Sequence, residues 1–283
     1  MFLKYFRENK NYILNLSLKK IYEHFFLNDF KKKGYFNFLK NLSYEFFLSK
    51  YPFLEKDRYE RNLIHLMNHY ESDLLNQFNS AFEPDFEKDL SKWYKSSEKQ
   101  IFLRFIRYST NPKLITRRYA DIYDFAIKKI NEPLEILEIG GGIPHGLIYN
   151  VWKKDKSFIK KLTYIEADML HSEFVEWYCK TSSIEFDKKI FVASKTPTIQ
   201  DLKFNFVFAK DIFEHLEDPS KVIDELIMNT NKKNTLLCLD LEHKGNITVD
   251  HINPNLPILK ERLINNNFHV IKKFEEVEVW EKK

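Results

Sequence analysis

Three consecutive glycines, Gly140, Gly141 and Gly142, follow the apolar run Leu134-Glu135-Ile136-Leu137-Glu138-Ile139, and this junction is where the chain offers chemistry. The run follows Pro133 and is rich in β-branched residues, so it reads as a buried strand feeding a tight turn. Glycine admits φ > 0 and lets a ligand approach the main chain where a Cβ would otherwise stand. From Leu147 to Trp152 the chain can begin a helix, whose first N–H groups face the same space. Strand, glycine turn and helix N-terminus in series suit a nucleotide-type ligand at the carboxyl end of a parallel strand. Other side chains bear on that place. Glu138 stands two residues before the first glycine, Glu166 ends the next apolar run, and Asp211 follows a third. A carboxylate at such a strand end can accept hydrogen bonds from both hydroxyls of a ribose. His215 and His251 carry imidazoles, whose ordinary pKa of about 6.5 lets them take a proton near neutral pH.

The glycine spacing narrows the ligand. A dinucleotide fingerprint counted from Gly140 requires glycine at position 145, which is His145. Glu138-x-Gly140-x-Gly142 instead resembles the first motif of the class I S-adenosylmethionine (SAM) methyltransferases. There the turn faces the methionine part of a cofactor bearing an ammonium and a sulfonium. Pro144 stands where that family often has a further glycine, a departure that Gly146 partly offsets. Phe206-Val207-Phe208-Ala209-Lys210-Asp211-Ile212-Phe213-Glu214-His215-Leu216-Glu217-Asp218-Pro219 resembles the family's fourth-strand segment: a strand ending in Asp, a Glu-His-Leu turn and a Pro-led helix. His251-Ile252-Asn253-Pro254 is similar to its acceptor-side loop, and a closing hairpin from Phe268 to Trp280 is typical of its fold. The resemblance spans about residues 113 to 283. It implies SAM as cofactor, held by Glu138, Gly140, Gly141, Gly142, Glu166, Ala167 and Asp211. His215, His251 and Asp211 become the candidate catalytic residues, and no metal is implied. The Asn- or Asp-Pro-Pro-aromatic motif of amino-methyltransferases acting on nucleic-acid bases is replaced by Lys210-Asp211-Ile212-Phe213, which weighs against a base amine.

These residues need a scaffold, and the pattern supplies one. Strand-like runs at 134–139, 162–166, 190–193, 204–209 and 235–241 alternate with helical stretches near 172–180, after Pro219 and after Pro257. Asp218 and Pro219 supply an N-cap and a first-turn proline. The expected fold is α/β: a doubly wound, mostly parallel seven-stranded sheet, closed by an antiparallel edge hairpin of Phe268–Ile271 and Val277–Trp280. An N-terminal all-helical domain over 1–112, ending at Pro112, precedes a sheet domain over 113–283, which opens with a helix bearing Tyr119, Ile122, Tyr123, Ala126 and Ile130. Short amphipathic helices are expected within 14–26, 36–47, 57–70 and 93–108, forming a lid over the acceptor or a packing domain. His65 and His69 share a helical face there without a third ligand, and Lys31-Lys32-Lys33 reads as a solvated helix end.

Composition bounds the partners. The formal charge is +4 from 45 basic and 41 acidic residues, with no basic cluster interleaved with aromatics, so a nucleic-acid partner is not expected. Cys179 and Cys238 stand on separate segments, the usage of a reducing compartment. No run approaches the roughly 18 apolar residues of a membrane span, and a cytoplasmic location is the expectation. The reading is methylation of a small molecule or sugar, at oxygen with a His or Asp assisting proton removal; a homo-oligomer is compatible with it. An NAD-linked or nucleotide-sugar oxidoreductase, and a catalytically inactive methyltransferase-fold partner subunit, are the alternatives.

Overall fold

The structure is a computed structural model describing residues 34–50, 52–53, 55–57, 59, 119–167, 169–192, 195–230, 234–242 and 256–283. The expected helices within 14–26 and 93–108, nearly all of that over 57–70, His65, His69, Lys31–Lys33, Pro112 and the loop carrying His251 lie outside the described residues.

The described chain runs α1 (Tyr35–Lys50), α2 (Ala120–Ile130), β1 (Leu134–Ile139), α3 (His145–Lys154), β2 (Ile159–Glu166), α4 (Met169–Thr181), β3 (Phe186–Ile190), β4 (Phe206–Ala209), α5 (Pro219–Asn229), β5 (Leu236–Asp240), α6 (Pro257–Asn265), β6 (Phe268–Phe274) and β7 (Val277–Lys282). The strands form one seven-stranded sheet in the order β3-β2-β1-β4-β5-β7-β6. Strands β1 to β5 pair in parallel, and β7 runs antiparallel between β5 and β6. This is the architecture expected from the sequence.

Side chains alternate across each strand, so the sheet has two cores. Leu134 and Ile136 of β1 join Phe206 and Phe208 of β4 in a core covered by α1 to α4. Leu137 and Ile139 join Val207 and Ala209 in a second core under α5 and α6. All six residues of β1 are buried, as a central parallel strand demands. Helix α2 buries Ala120, Ile122, Tyr123, Ala126 and Ile130, and ends where Asn131 turns left-handed at φ 56° and donates its N–H to the Ile127 carbonyl. The Asp218 side chain caps α5 by accepting the Lys221 N–H at 3.1 Å.

Helix α1 lies outside α3 and α4. The Tyr35 ring packs 4.9 Å from that of Tyr149 and 5.0 Å from that of Trp152, while Phe46 packs against Phe174 and Trp177. Lys50 pairs with Glu173 across the same contact.

One strand differs from expectation. The third strand is Phe186–Ile190, not the apolar run Ile190-Phe191-Val192-Ala193. It is an edge strand in register with β2 from Leu162↔Phe186 to Glu166↔Ile190, and most of it is exposed. An edge strand buries little side-chain area, so apolar content does not mark it. Helix α3 also starts at His145, two residues before the expected Leu147, with Pro144 at its N-cap. Among the described residues, no helix is long and apolar enough to cross a membrane.

Candidate functional site

The carboxyl ends of β1, β2, β4 and β5 bring the candidate residues together. After Ile139 the Gly140 N–H still bonds the Ile165 carbonyl at 2.8 Å, and the chain then leaves the sheet. Gly140 and Gly142 both adopt left-handed backbone, at φ +64° and +58°. At Gly140 an added Cβ would lie 2.5 Å from the Ile212 side chain, so the loop after β4 packs directly on the turn. At Gly142 such an atom would meet nothing nearer than the His171 ring at 3.9 Å, so space remains beside this part of the main chain.

Glu166 is tied to that turn. Its Oε2 accepts the Gly142 N–H at 2.8 Å and lies 3.1 Å from the Tyr164 hydroxyl, which also contacts the Gly142 carbonyl. Its Oε1 accepts the Ala167 N–H at 2.8 Å. The carboxylate therefore stands at the junction of β2 and the glycine turn, held by two main-chain donors.

Glu138 is placed differently from a residue facing a ligand. It shares strand parity with Leu134 and Ile136, so its side chain enters the helix-covered core and is 1% exposed. There its Oε2 accepts the Tyr123 hydroxyl at 2.8 Å, and its Oε1 fills the space beside Gly141 where a Cβ would stand. Burial pushes its pKa up to about 8; the Tyr123 hydrogen bond opposes the rise and the Glu166 charge adds to it. Near neutral pH this carboxyl is largely uncharged and props the turn from beneath.

His145 and His171 complete the support. His145 is buried at the start of α3, and neither ring nitrogen has a hydrogen-bond partner among the described residues. Burial, then the neighbouring His171, lowers its pKa to about 3, so the imidazole is neutral.

On the other side of the turn, Asp211 follows β4 in left-handed backbone at φ +51°. Its carboxylate is largely exposed, while Lys210 beside it is buried with 3% of its side chain exposed. The Lys210 ammonium lies 2.5 Å from Asp211 Oδ1, 3.0 Å from Asp240 Oδ2 at the end of β5, and 3.2 Å from Glu276 Oε2 in the β6–β7 turn. Burial opposes its charge, but Asp211, Tyr119 and Asp240 together hold its pKa above the ordinary lysine value. Burial pushes Asp240 up to about 6 against the pull of Lys210. The three carboxylates offer oxygens within 4.8 Å of one another, a grouping suited to a cation, and the ammonium of Lys210 is the cation they hold.

His215 ends the short 3-10 turn Phe213–His215, partly exposed, with its N–H bonded to the Ile212 carbonyl. It lies on the same loop as Asp211 and Ile212, after the carboxyl end of β4. His251 is outside the described residues.

Gly140–Gly142, Glu166, Ala167, Asp211 and His215, all expected from the sequence, thus meet at one sheet end. Tyr123, Tyr164, Lys210, Asp240 and Glu276 join them without having been expected there. Lys210 had a signal: a charged residue continuing directly from the buried run 206–209 must be either exposed or paired. The others become visible only when distant segments meet.

No family model and no curated protein matches the chain. Solved structures do. The [4+2]-cyclase SpnF is 14% identical over 54% of this chain and 59% of its own, with a TM-score of 0.40. A SAM-dependent methyltransferase from Aquifex aeolicus is 16% identical over 56% of this chain and 87% of its own, at 0.40. An S-adenosylmethionine-dependent methyltransferase from Clostridium acetobutylicum is 9% identical over 66% of this chain and 99% of its own, at 0.43. The strand order and the antiparallel hairpin, rather than these low scores, carry the fold: a Rossmann-like sheet of the class I methyltransferase kind.

Proposed function

We propose that the protein is a SAM-dependent methyltransferase whose acceptor is a hydroxyl of a small molecule or sugar. The observation that carries this reading is the bond from the Gly142 N–H to Glu166, which joins a glycine turn and a strand-end acid in one unit. The open Cβ position at Gly142 leaves room for a ligand against that unit. Insertion of β7 antiparallel beside β5, together with His145 at the third fingerprint position, favours this over a dinucleotide oxidoreductase.

Bound there, SAM would supply an electrophilic methyl on a sulfonium. The residues of the chain do the rest. Glu166 receives the ribose hydroxyls, the glycine turn lets the methionine end approach the main chain, and Asp211 faces the reacting end. A base near Asp211 takes the proton of the acceptor hydroxyl. The reading carries a small-molecule or carbohydrate partner and a cytoplasmic setting without a membrane or nucleic acid.

Calorimetric titration tests the cofactor. SAM is expected to bind and NAD is not. Glu166→Ala removes charge-assisted bonds of about 1.5–3 kcal/mol and lowers SAM affinity at least tenfold. Glu166→Gln, which keeps an acceptor oxygen for Gly142, separates loss of ligand contacts from loosening of the turn. Binding of NAD, or unchanged SAM affinity in a folded Glu166→Ala protein, would refute the reading.

His215 is the base in this proposal. Replacing it with Ala or Gln is expected to slow single-turnover methylation by roughly a hundredfold while SAM binding is kept. Near-normal rates in both this variant and the corresponding His251 variant would point to a nitrogen or carbon acceptor needing no such base.

A further inference from the structure

We propose that Tyr164 is a positioning residue: its hydroxyl fastens Glu166 and the glycine turn into one unit, and the preference of the site for a ribose diol depends on that tie. This rests on the methyltransferase reading above.

Tyr164 and Glu166 stand two residues apart on β2, so their side chains leave the same face of the sheet. Two residues of strand span about 7 Å, a distance that a phenol side chain leaning along the strand can cover. The Tyr164 ring is buried, 6.5 Å from that of Phe186 on β3. Its hydroxyl donates to the Gly142 carbonyl and lies 3.1 Å from Glu166 Oε2. That same Oε2 accepts the Gly142 N–H at 2.8 Å. The N–H and the carbonyl of Gly142 belong to the two peptide planes on either side of its Cα, so β2 holds both planes. Together they set φ and ψ of a residue that, lacking a Cβ, has wide conformational freedom. Gly142 is kept at φ +58°, and an atom at its Cβ position would meet nothing nearer than the His171 ring at 3.9 Å.

A phenylalanine could pack in the same core. What tyrosine adds is a hydroxyl, which costs free energy to bury unless it is bonded, and both groups it meets belong to the candidate site. Without it the plane after Gly142 loses its tie to β2. The plane before it can then turn, and Glu166 Oε2 loses the N–H that directs it. The Ala167 N–H on Oε1 comes from the adjoining residue and moves with Glu166, so it does not fix the carboxylate against the turn.

The test compares calorimetric affinities for S-adenosylhomocysteine, which carries the ribose diol, and for its dideoxyribose analogue, which does not. The wild-type protein is expected to prefer the diol form at least tenfold. Tyr164→Phe is expected to lower that preference about fivefold, the worth of one hydrogen bond, by weakening the diol form alone. General loosening of the fold would weaken both ligands alike. In a Glu166→Ala background, Tyr164→Phe is expected to change the preference no further, because Tyr164 acts through the carboxylate. An unchanged preference in folded Tyr164→Phe, equal loss for both ligands, or a further loss in the Glu166→Ala background would overturn the proposal. Should Tyr164→Phe fail to fold, Tyr164→Met, whose flexible chain fills core space without a hydroxyl, decides by the same preference. If the wild-type protein binds neither ligand, the methyltransferase reading falls and this proposal with it. If it prefers the diol and Tyr164→Phe prefers it equally, only this proposal falls.

Discussion

Raising the pH from about 5 to about 8 is expected to destabilise the protein through Glu138, and Glu138→Gln is expected to remove most of that dependence. The carboxyl has an ordinary pKa of 4.5, raised to about 8 in the folded chain by burial beneath the glycine turn. Between those values the folded state keeps the proton and the unfolded state releases it, so unfolding gains from every rise in pH. The stabilisation is complete below 4.5 and is lost as the pH climbs through about 8. A shift of this size corresponds to about 3–5 kcal/mol. Gln copies the shape of the protonated acid and can still accept the Tyr123 hydroxyl. The measurement is denaturant unfolding of both proteins across the window: wild-type stability should fall as the pH rises, while that of the Glu138→Gln variant stays nearly level. Parallel pH profiles would show that Glu138 is ionised in the folded state and that the turn rests on a charge.

Alanine at two glycines of the same turn should give unequal losses. Gly142→Ala places a side chain at φ +58° with the nearest atom 3.9 Å away, so only backbone strain of about 1–2 kcal/mol applies. Gly140→Ala adds to a similar strain at φ +64° an overlap with three Ile212 atoms, including its Cβ at 2.8 Å. Overpacking of that kind costs about 1–3 kcal/mol more, for a total of about 2–5 kcal/mol. Because Ile212 borders Asp211, Gly140→Ala should also weaken SAM binding beyond what its stability loss explains. Thermal melts with and without SAM read both effects. Equal destabilisation at the two positions would show that the Ile212 contact yields freely and that the loop after β4 is not locked to the turn.

Much of the architecture was legible in the amino-acid order. The apolar runs read at 134–139, 162–166, 204–209 and 235–241 mark the central strands, because a parallel strand covered on both faces is largely apolar. Asp218-Pro219 and Pro257 mark helix starts through local backbone chemistry that needs no distant partner. Gly140 and Gly142 were legible for the same reason, since their left-handed backbone is a local demand. The edge strand Phe186–Ile190 was missed because exposure frees it from the apolar pattern.

Charge was another matter. Glu138 and Glu166 look alike in sequence, each an acid at the end of an apolar strand. The fold gives them opposite environments: one is enclosed beneath Tyr123 and Gly141, the other is fastened to two main-chain donors at the rim. Lys210 likewise became part of the site only when Asp240 and Glu276, both remote in sequence, were brought within 3.2 Å of its ammonium. Apolar runs and turn residues are read from neighbours along the chain, so the order of residues was enough to mark the central strands and the glycine turn. The state of each buried charge depends on desolvation and on partners a few ångströms away across the sheet, and it is fixed only once the chain has folded.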